Sequence, residues 1–178
     1  METHTAEKTK RCNLRTCGLQ TKNVYLIADA YDGKEIKQTT IDFLKSSSGQ
    51  FKDTLQIENK IIGINGNSEL IAYIGHDGLM DFEIKNEFKN QDKKQRDVII
   101  LACFSKRFFG PLLEENNVNP IVWTSNLMAP EAYIIHDAIT GYLNNESNVA
   151  IQNRAAQAYS KYQKCSLKAA RNLLVTGW

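Results

Sequence analysis

Short apolar runs that end abruptly in small or polar residues constrain this chain more than any other feature. The clearest is Val98-Ile-Ile-Leu-Ala102, and Val24–Ala28, Leu70–Ile74 and Ile121–Trp123 are of the same kind. A continuous apolar run without alternation fits a strand buried on both faces. Such strands belong to parallel sheets covered by helices on both sides.

Helix signals lie between the runs. Asp32 stands three residues before Glu35, a capping box with Asp in place of Ser. Ile36, Thr40, Phe43 and Leu44 follow at helical spacing, and Gly49 marks the stop. Ser105 heads a short helix that Gly110-Pro111 interrupts or restarts. Pro130 suits the first turn of a helix running to about Leu143, closed by Asn144-Asn145. Residues from about 149 to 175 read as helical, with Ala155, Ala158, Tyr162, Cys165, Ala169 and Leu173 on one face. Lys161, Lys164, Lys168 and Arg171 form a basic stripe beside that face. Thr54–Ile64 reads as one or two short strands bent near Asn59, and residues 83–97 as an exposed helix end and loop. Strands alternating with helices predict an α/β fold with a mostly parallel central sheet flanked by helices.

With 178 residues, the chain can bury a core without disulfides or metals. Residues 1–22 are basic and aperiodic, which predicts a flexible tail, and residues 23–178 are expected to form a single domain. No run approaches the ~18 apolar residues of a membrane helix. No apolar stretch follows Met1 as a secretory signal would require, so a cytoplasmic protein without a membrane partner is expected. Cys12 and Cys17 have only His4 nearby as a third ligand, so they read as reduced thiols and no metal is expected. The chain has neither GxGxxG nor GxxxxGK[ST], the usual nucleotide cradles, and no cofactor is implied. Both ends are basic, but without a recognition motif they do not indicate nucleic acid. The basic C-terminal stripe is read as a solvated face or as a docking face for a protein partner.

Sites in open α/β sheets form at the carboxyl ends of the strands. Four positions follow from that rule. Asp29 and Asp32 follow the first run, His76 the second, Cys103 the third, and Thr124 and Ser125 the fourth. An imidazole and a thiol at one sheet edge are the parts of a nucleophile–base pair. Cys103 also precedes an expected helix start, and a helix N-terminus favours the thiolate form of a cysteine. His136 and Glu131 read as ordinary helix residues, and Trp123 as core or pocket wall.

Ile71-Ala-Tyr-Ile-Gly-His76-Asp77-Gly78, followed by Val98-Ile-Ile-Leu-Ala102-Cys103, resembles the caspase-like (clan CD) cysteine peptidases. Metacaspases and CHAT domains are the closest in pattern. Pro120-Ile-Val-Trp123-Thr-Ser-Asn-Leu-Met-Ala-Pro-Glu131 and the alanine-rich stretch 150–159 are similar to the later part of CHAT domains. The resemblance implies a caspase-like three-layer sandwich and a peptidase acting on a protein or peptide substrate without a cofactor. It implies His76 as the catalytic acid, Cys103 as the nucleophile, and Gly78 with Cys103 as the oxyanion donors. It further implies Asp29, Trp123 and Thr124 as substrate-binding residues, with a basic P1 preference through Asp29.

This chain departs from the family pattern in three places. Asp77 intervenes between His76 and the glycine, Phe104-Ser105 replaces the glycine after the cysteine, and only 27 positions separate His76 from Cys103. Two other readings remain open: a non-catalytic caspase-fold module that binds a protein, and a different α/β enzyme using Asp29 and Asp77 with a metal.

Overall fold

The computed structural model describes residues 24–178. The basic tail, with Cys12 and Cys17, lies outside the described residues. The central sheet has the order β3-β4-β5-β6. Its members are β3 (Leu70–Ile74), β4 (Arg96–Leu101), β5 (Val118–Thr124) and β6 (Leu174–Val175). β3, β4 and β5 run parallel, and β6 closes antiparallel on β5 through Trp123↔Val175. A separate hairpin joins β1 (Lys52–Ile57) to β2 (Lys60–Asn65), reversing at Glu58-Asn59.

Helices cover both faces, as the apolar runs require. Val98 and Ile100 of β4, and Ala102 just beyond it, face one way, into a core with Phe43 and Leu44 of α1 (Ile36–Ser47) and Phe109 and Leu113 of α2 (Ser105–Leu113). Ile99 and Leu101 face the other way, against Ile134 and Ala138 of α3 (Ala132–Leu143) and Ile151 and Ala155 of α4 (Asn148–Gln163). Residues Val98 to Ala102 are fully buried, which explains their unbroken apolar sequence. The molecule is α/β with a mostly parallel sheet, as expected.

Several local expectations are corrected. Val24–Ala28 forms no strand beyond a single bridge at Leu26, so β3 is the end strand of the sheet. Residues 83–95 contain no helix, and the β3-to-β4 crossover is irregular chain that buries Phe88 and packs Leu79 and Ile84 against the α1–α2 core. Pro111 sits inside α2 without ending it. The C-terminal helix is two helices. α4 ends at Lys164 in the left-handed region (φ 53°), and Ser166 caps α5 (Leu167–Leu173) by accepting from the Ala169 amide. The four basic residues therefore straddle a break instead of forming one stripe. Among the described residues, no helix is long and apolar enough to cross a membrane.

Arg96 anchors the hairpin to the sheet. Its side chain is fully buried and donates from Nε to the Gly66 carbonyl at 2.8 Å. The two Nη atoms donate to the Asp92 carboxylate at 3.1 and 2.6 Å. Gly49, at φ 71°, passes so close that a Cβ there would lie 2.6 Å from the guanidinium.

Candidate active site

The β3–β4 ladder ends at Ile74↔Leu101, with the Gly75 amide donating to the Leu101 carbonyl at 3.1 Å. His76 and Cys103 each follow two residues beyond those adjacent strand ends. Both stand at the carboxyl edge of the parallel sheet, where α/β proteins build their sites.

His76 does not stand alone. Its Nε2 lies 2.5 Å from Asp81 Oδ2, and its side chain is exposed. A tight turn makes this contact. Asp77 caps a 3-10 turn over Gly78–Met80 by accepting from the Leu79 amide at 3.0 Å, and the turn returns the chain to Asp81. The Tyr73 hydroxyl donates to the His76 carbonyl at 2.7 Å and fixes the near end of the turn. The sequence reading missed Asp81. Its signal was there: a carboxylate five residues beyond a histidine, across a turn that begins with Asp-Gly.

Cys103 is half-buried, and the loop after β5 wraps it. The Met128 amide donates to Sγ at 3.5 Å, and Sγ lies 3.6 Å from the Met128 carbonyl oxygen. Phe104 then takes the left-handed conformation (φ 51°), and its amide donates to the Asn126 carbonyl at 3.0 Å. A non-glycine residue held there stores strain of about 1–2 kcal/mol. α2 begins at Ser105 and points its N-terminus back toward the cysteine. Among the described residues, no hydrogen bond joins the His76 ring to the Cys103 sulfur.

The other expected site residues lie elsewhere. Gly78 is buried. A Cβ on Gly78 would approach Phe82 Cζ to 2.6 Å and Ile36 Cγ1 to 3.0 Å, so this glycine is there for close packing. Thr124 is fully buried. Its hydroxyl accepts from the Ser105 amide at 3.0 Å and donates to the Ala102 carbonyl, while the Ser105 hydroxyl accepts from the Thr124 amide at 2.9 Å. This clasp joins the ends of β4 and β5 directly beneath Cys103. Trp123 is also fully buried, with its indole N–H donating to the Gly177 carbonyl at 3.0 Å and its ring edge-on to Trp178. Both residues support the site from within and are closed to a substrate. Asp29 is exposed and lines an open groove of about 1460 Å3 along β3, together with Tyr31, Asp42 and α3. Neither His76 nor Cys103 lines that groove.

Asp77 has a second property. It is fully buried, and among the described residues its Oδ2 has no hydrogen-bond partner. Burial pushes its carboxyl up to about 6, against the pull of the Leu79 amide and of His76. Among the described residues, no group of three or more His, Cys, Asp and Glu side chains could hold a metal ion.

Comparison of the chain with family models, curated proteins and solved structures gives no match.

Proposed function

We propose that this chain is a cysteine endopeptidase of the caspase-like type, with Cys103 as nucleophile and His76 as proton donor. One observation carries the reading: two residues beyond the adjacent ends of β3 and β4 stand an imidazole held by a carboxylate and a thiol that accepts from an amide. The Cys103 thiol gives its proton to His76, and the sulfur attacks the peptide carbonyl carbon to give a tetrahedral intermediate. Collapse breaks the C–N bond, and a proton from His76 leaves with the amine. A water molecule then hydrolyses the thioester, returning the thiol and releasing the carboxylic acid. Asp81 fixes the ring orientation and stabilises the charged imidazolium, the part a third residue takes in such sites. Strain at Phe104, directly after the nucleophile, is where strained backbone tends to collect.

The amide of Cys103 itself is the oxyanion donor in this reading, since Gly78 is buried against Phe82 and Ile36. A basic P1 preference through Asp29 finds no support, because Asp29 belongs to the groove along β3. The competing reading is a non-catalytic module of the same fold that binds a protein. It is favoured by the His76 ring bonding to Asp81 with no bond to Cys103. Hydrolysis of a fluorogenic peptide library varied at P1, compared with Cys103→Ala, separates the two. The peptidase reading expects cleavage that vanishes in the variant. The module reading expects none under reducing conditions, with or without calcium.

A further inference from the structure

We propose that Asp77 is a positioning residue whose uncharged form holds closed the turn that presents His76 to Asp81, so that the turn loosens when Asp77 ionises. The inference rests on reading His76 as a reacting group, but the behaviour of the turn can be measured without any activity.

The geometry is that of a buried acid at a hinge. Asp77 is fully buried. One carboxyl oxygen caps the 3-10 turn at the Leu79 amide, and the other has no partner. The residues on either side carry the function. His76 precedes it, with its carbonyl held by Tyr73, and Asp81 follows at the far end of the turn with its carboxylate on the imidazole. The turn's other contacts are its own backbone bonds, from Met80 to the Asp77 carbonyl and from Asp81 and Phe82 to the Gly78 carbonyl, together with Leu79 packed against the α1–α2 core and the Phe82 ring packed over Gly78.

Among the described residues no Lys or Arg side chain bonds to the buried acid, and the charge that favours its ionised form is that of His76. From its own turn, His76 and Asp81 face it with opposite charge effects, and from β3 the Tyr73 hydroxyl faces it. From α1, the Thr40 hydroxyl reaches Tyr73, and Lys37 lies over the Phe82 ring, 5.7 Å from its centroid. From α2, Lys106 is occupied at the Gly177 carbonyl and Arg107 lies over Phe108. A charged carboxylate with an unsatisfied oxygen in such a setting is costly, whereas a neutral one needs only a place for its proton. Opening the turn returns Asp77 to water, where it ionises freely.

The sign follows from linkage. The carboxyl titrates at about 6 in the closed turn, against 3.8 when free. Its contribution to closure is therefore fully present below about 3.8, declines as pH rises through about 6, and is absent above. The upper limit of the change in closing equilibrium across that window is on the order of 100-fold.

Hydrogen exchange of the Leu79, Asp81 and Phe82 amides, corrected for the intrinsic rate at each pH, tests this in the full chain. Protection should fall by ten-fold or more between pH 4.5 and pH 7.5, reaching a plateau above (on the order of the linkage limit). In Asp77→Asn it should stay level across the same range. Asp81→Asn, which removes the partner of His76 but leaves the buried acid, should keep the fall. Protection that is level in the unmodified chain, or that falls equally in Asp77→Asn, overturns the proposal. Should Asp77→Asn not fold, the carbon-13 resonance of the Asp77 carboxyl in the unmodified chain decides the matter. A midpoint near 6 that coincides with the loss of protection upholds the proposal, and a midpoint near 4 overturns it. If the chain cleaves no peptide but the turn still responds, only the peptidase reading fails.

Discussion

Arg96 shows how far a single side chain can be committed to structure. Its guanidinium is buried, and each nitrogen has an acceptor in Gly66, Lys94 or Asp92. Replacement by Lys keeps the charge but loses the fork, leaving Gly66 and part of Asp92 without donors. A cost of about 3–5 kcal/mol is expected for breaking a buried pair of this kind, read as a fall in denaturant midpoint at unchanged slope. The same pair sets an acid limit. Arg96 and Lys52 hold the Asp92 carboxyl well below the ordinary carboxylate range. Its contribution is therefore present above the unfolded value of about 3.9 and is lost as pH falls below it. Thermal melts at pH 5 and pH 3 should show a drop that Asp92→Asn lacks. Gly78 makes the opposite point, since here the absence of a side chain matters. Gly78→Ala drives a methyl into Phe82 and Ile36, and a loss of about 1–3 kcal/mol is expected from such overpacking. If Gly78→Ala melts like the unmodified chain, the packing role given to this glycine is wrong.

At the scale of elements, the end of the sheet is held by the Ser105–Thr124 clasp. Two backbone amides and two hydroxyls exchange bonds across the ends of β4 and β5. Thr124→Val keeps the shape and removes the hydroxyl, so the Ser105 amide and the Ala102 carbonyl lose a partner. The expected cost is about 2–3 kcal/mol. Because the clasp lies directly before and after Cys103, alkylation of that thiol should also change in rate, which a purely global effect at low denaturant would not produce. How the elements were legible depends on what encoded them. β4 could be read because burial on both faces leaves only apolar residues in its centre, β3 because it is an unbroken apolar run although one side of it lines the groove, and α3 because Pro130 and Asn144-Asn145 bracket it. The strand expected at Val24–Ala28 has the same composition, but strand formation needs a paired neighbour, and only Leu26 makes a bridge. The break at Lys164 was hidden because the apolar spacing continues through it, while its cause is local: a left-handed residue followed by the Ser166 cap.

At the scale of the whole molecule, the layered α/β architecture makes the candidate site possible. A parallel sheet brings residues distant in sequence to one edge, so strand ends alone placed His76 and Cys103 at the same edge of the sheet. What strand ends could not give is which neighbours turn inward. Trp123 and Thr124 stand at a strand end too, yet β6 and the C-terminal residues cover them, and that cover comes from the far end of the chain. Asp81 differs from these, because a turn sets its contact and its signal is the turn-forming Asp-Gly between it and His76, not a periodicity. If Asp81 orients His76, Asp81→Asn should lower peptide turnover by about 10²–10⁴-fold with little change in melting temperature, as loss of an orienting carboxylate does elsewhere. The central claim is that Cys103 and His76 act together on a peptide bond. The direct test is hydrolysis of a P1-varied fluorogenic peptide library under reducing conditions by the unmodified chain, Cys103→Ala and His76→Ala, all shown to be folded. The account predicts cleavage by the unmodified chain that both substitutions abolish. Cleavage that survives Cys103→Ala, or a folded unmodified chain that cleaves nothing in the library, would contradict it.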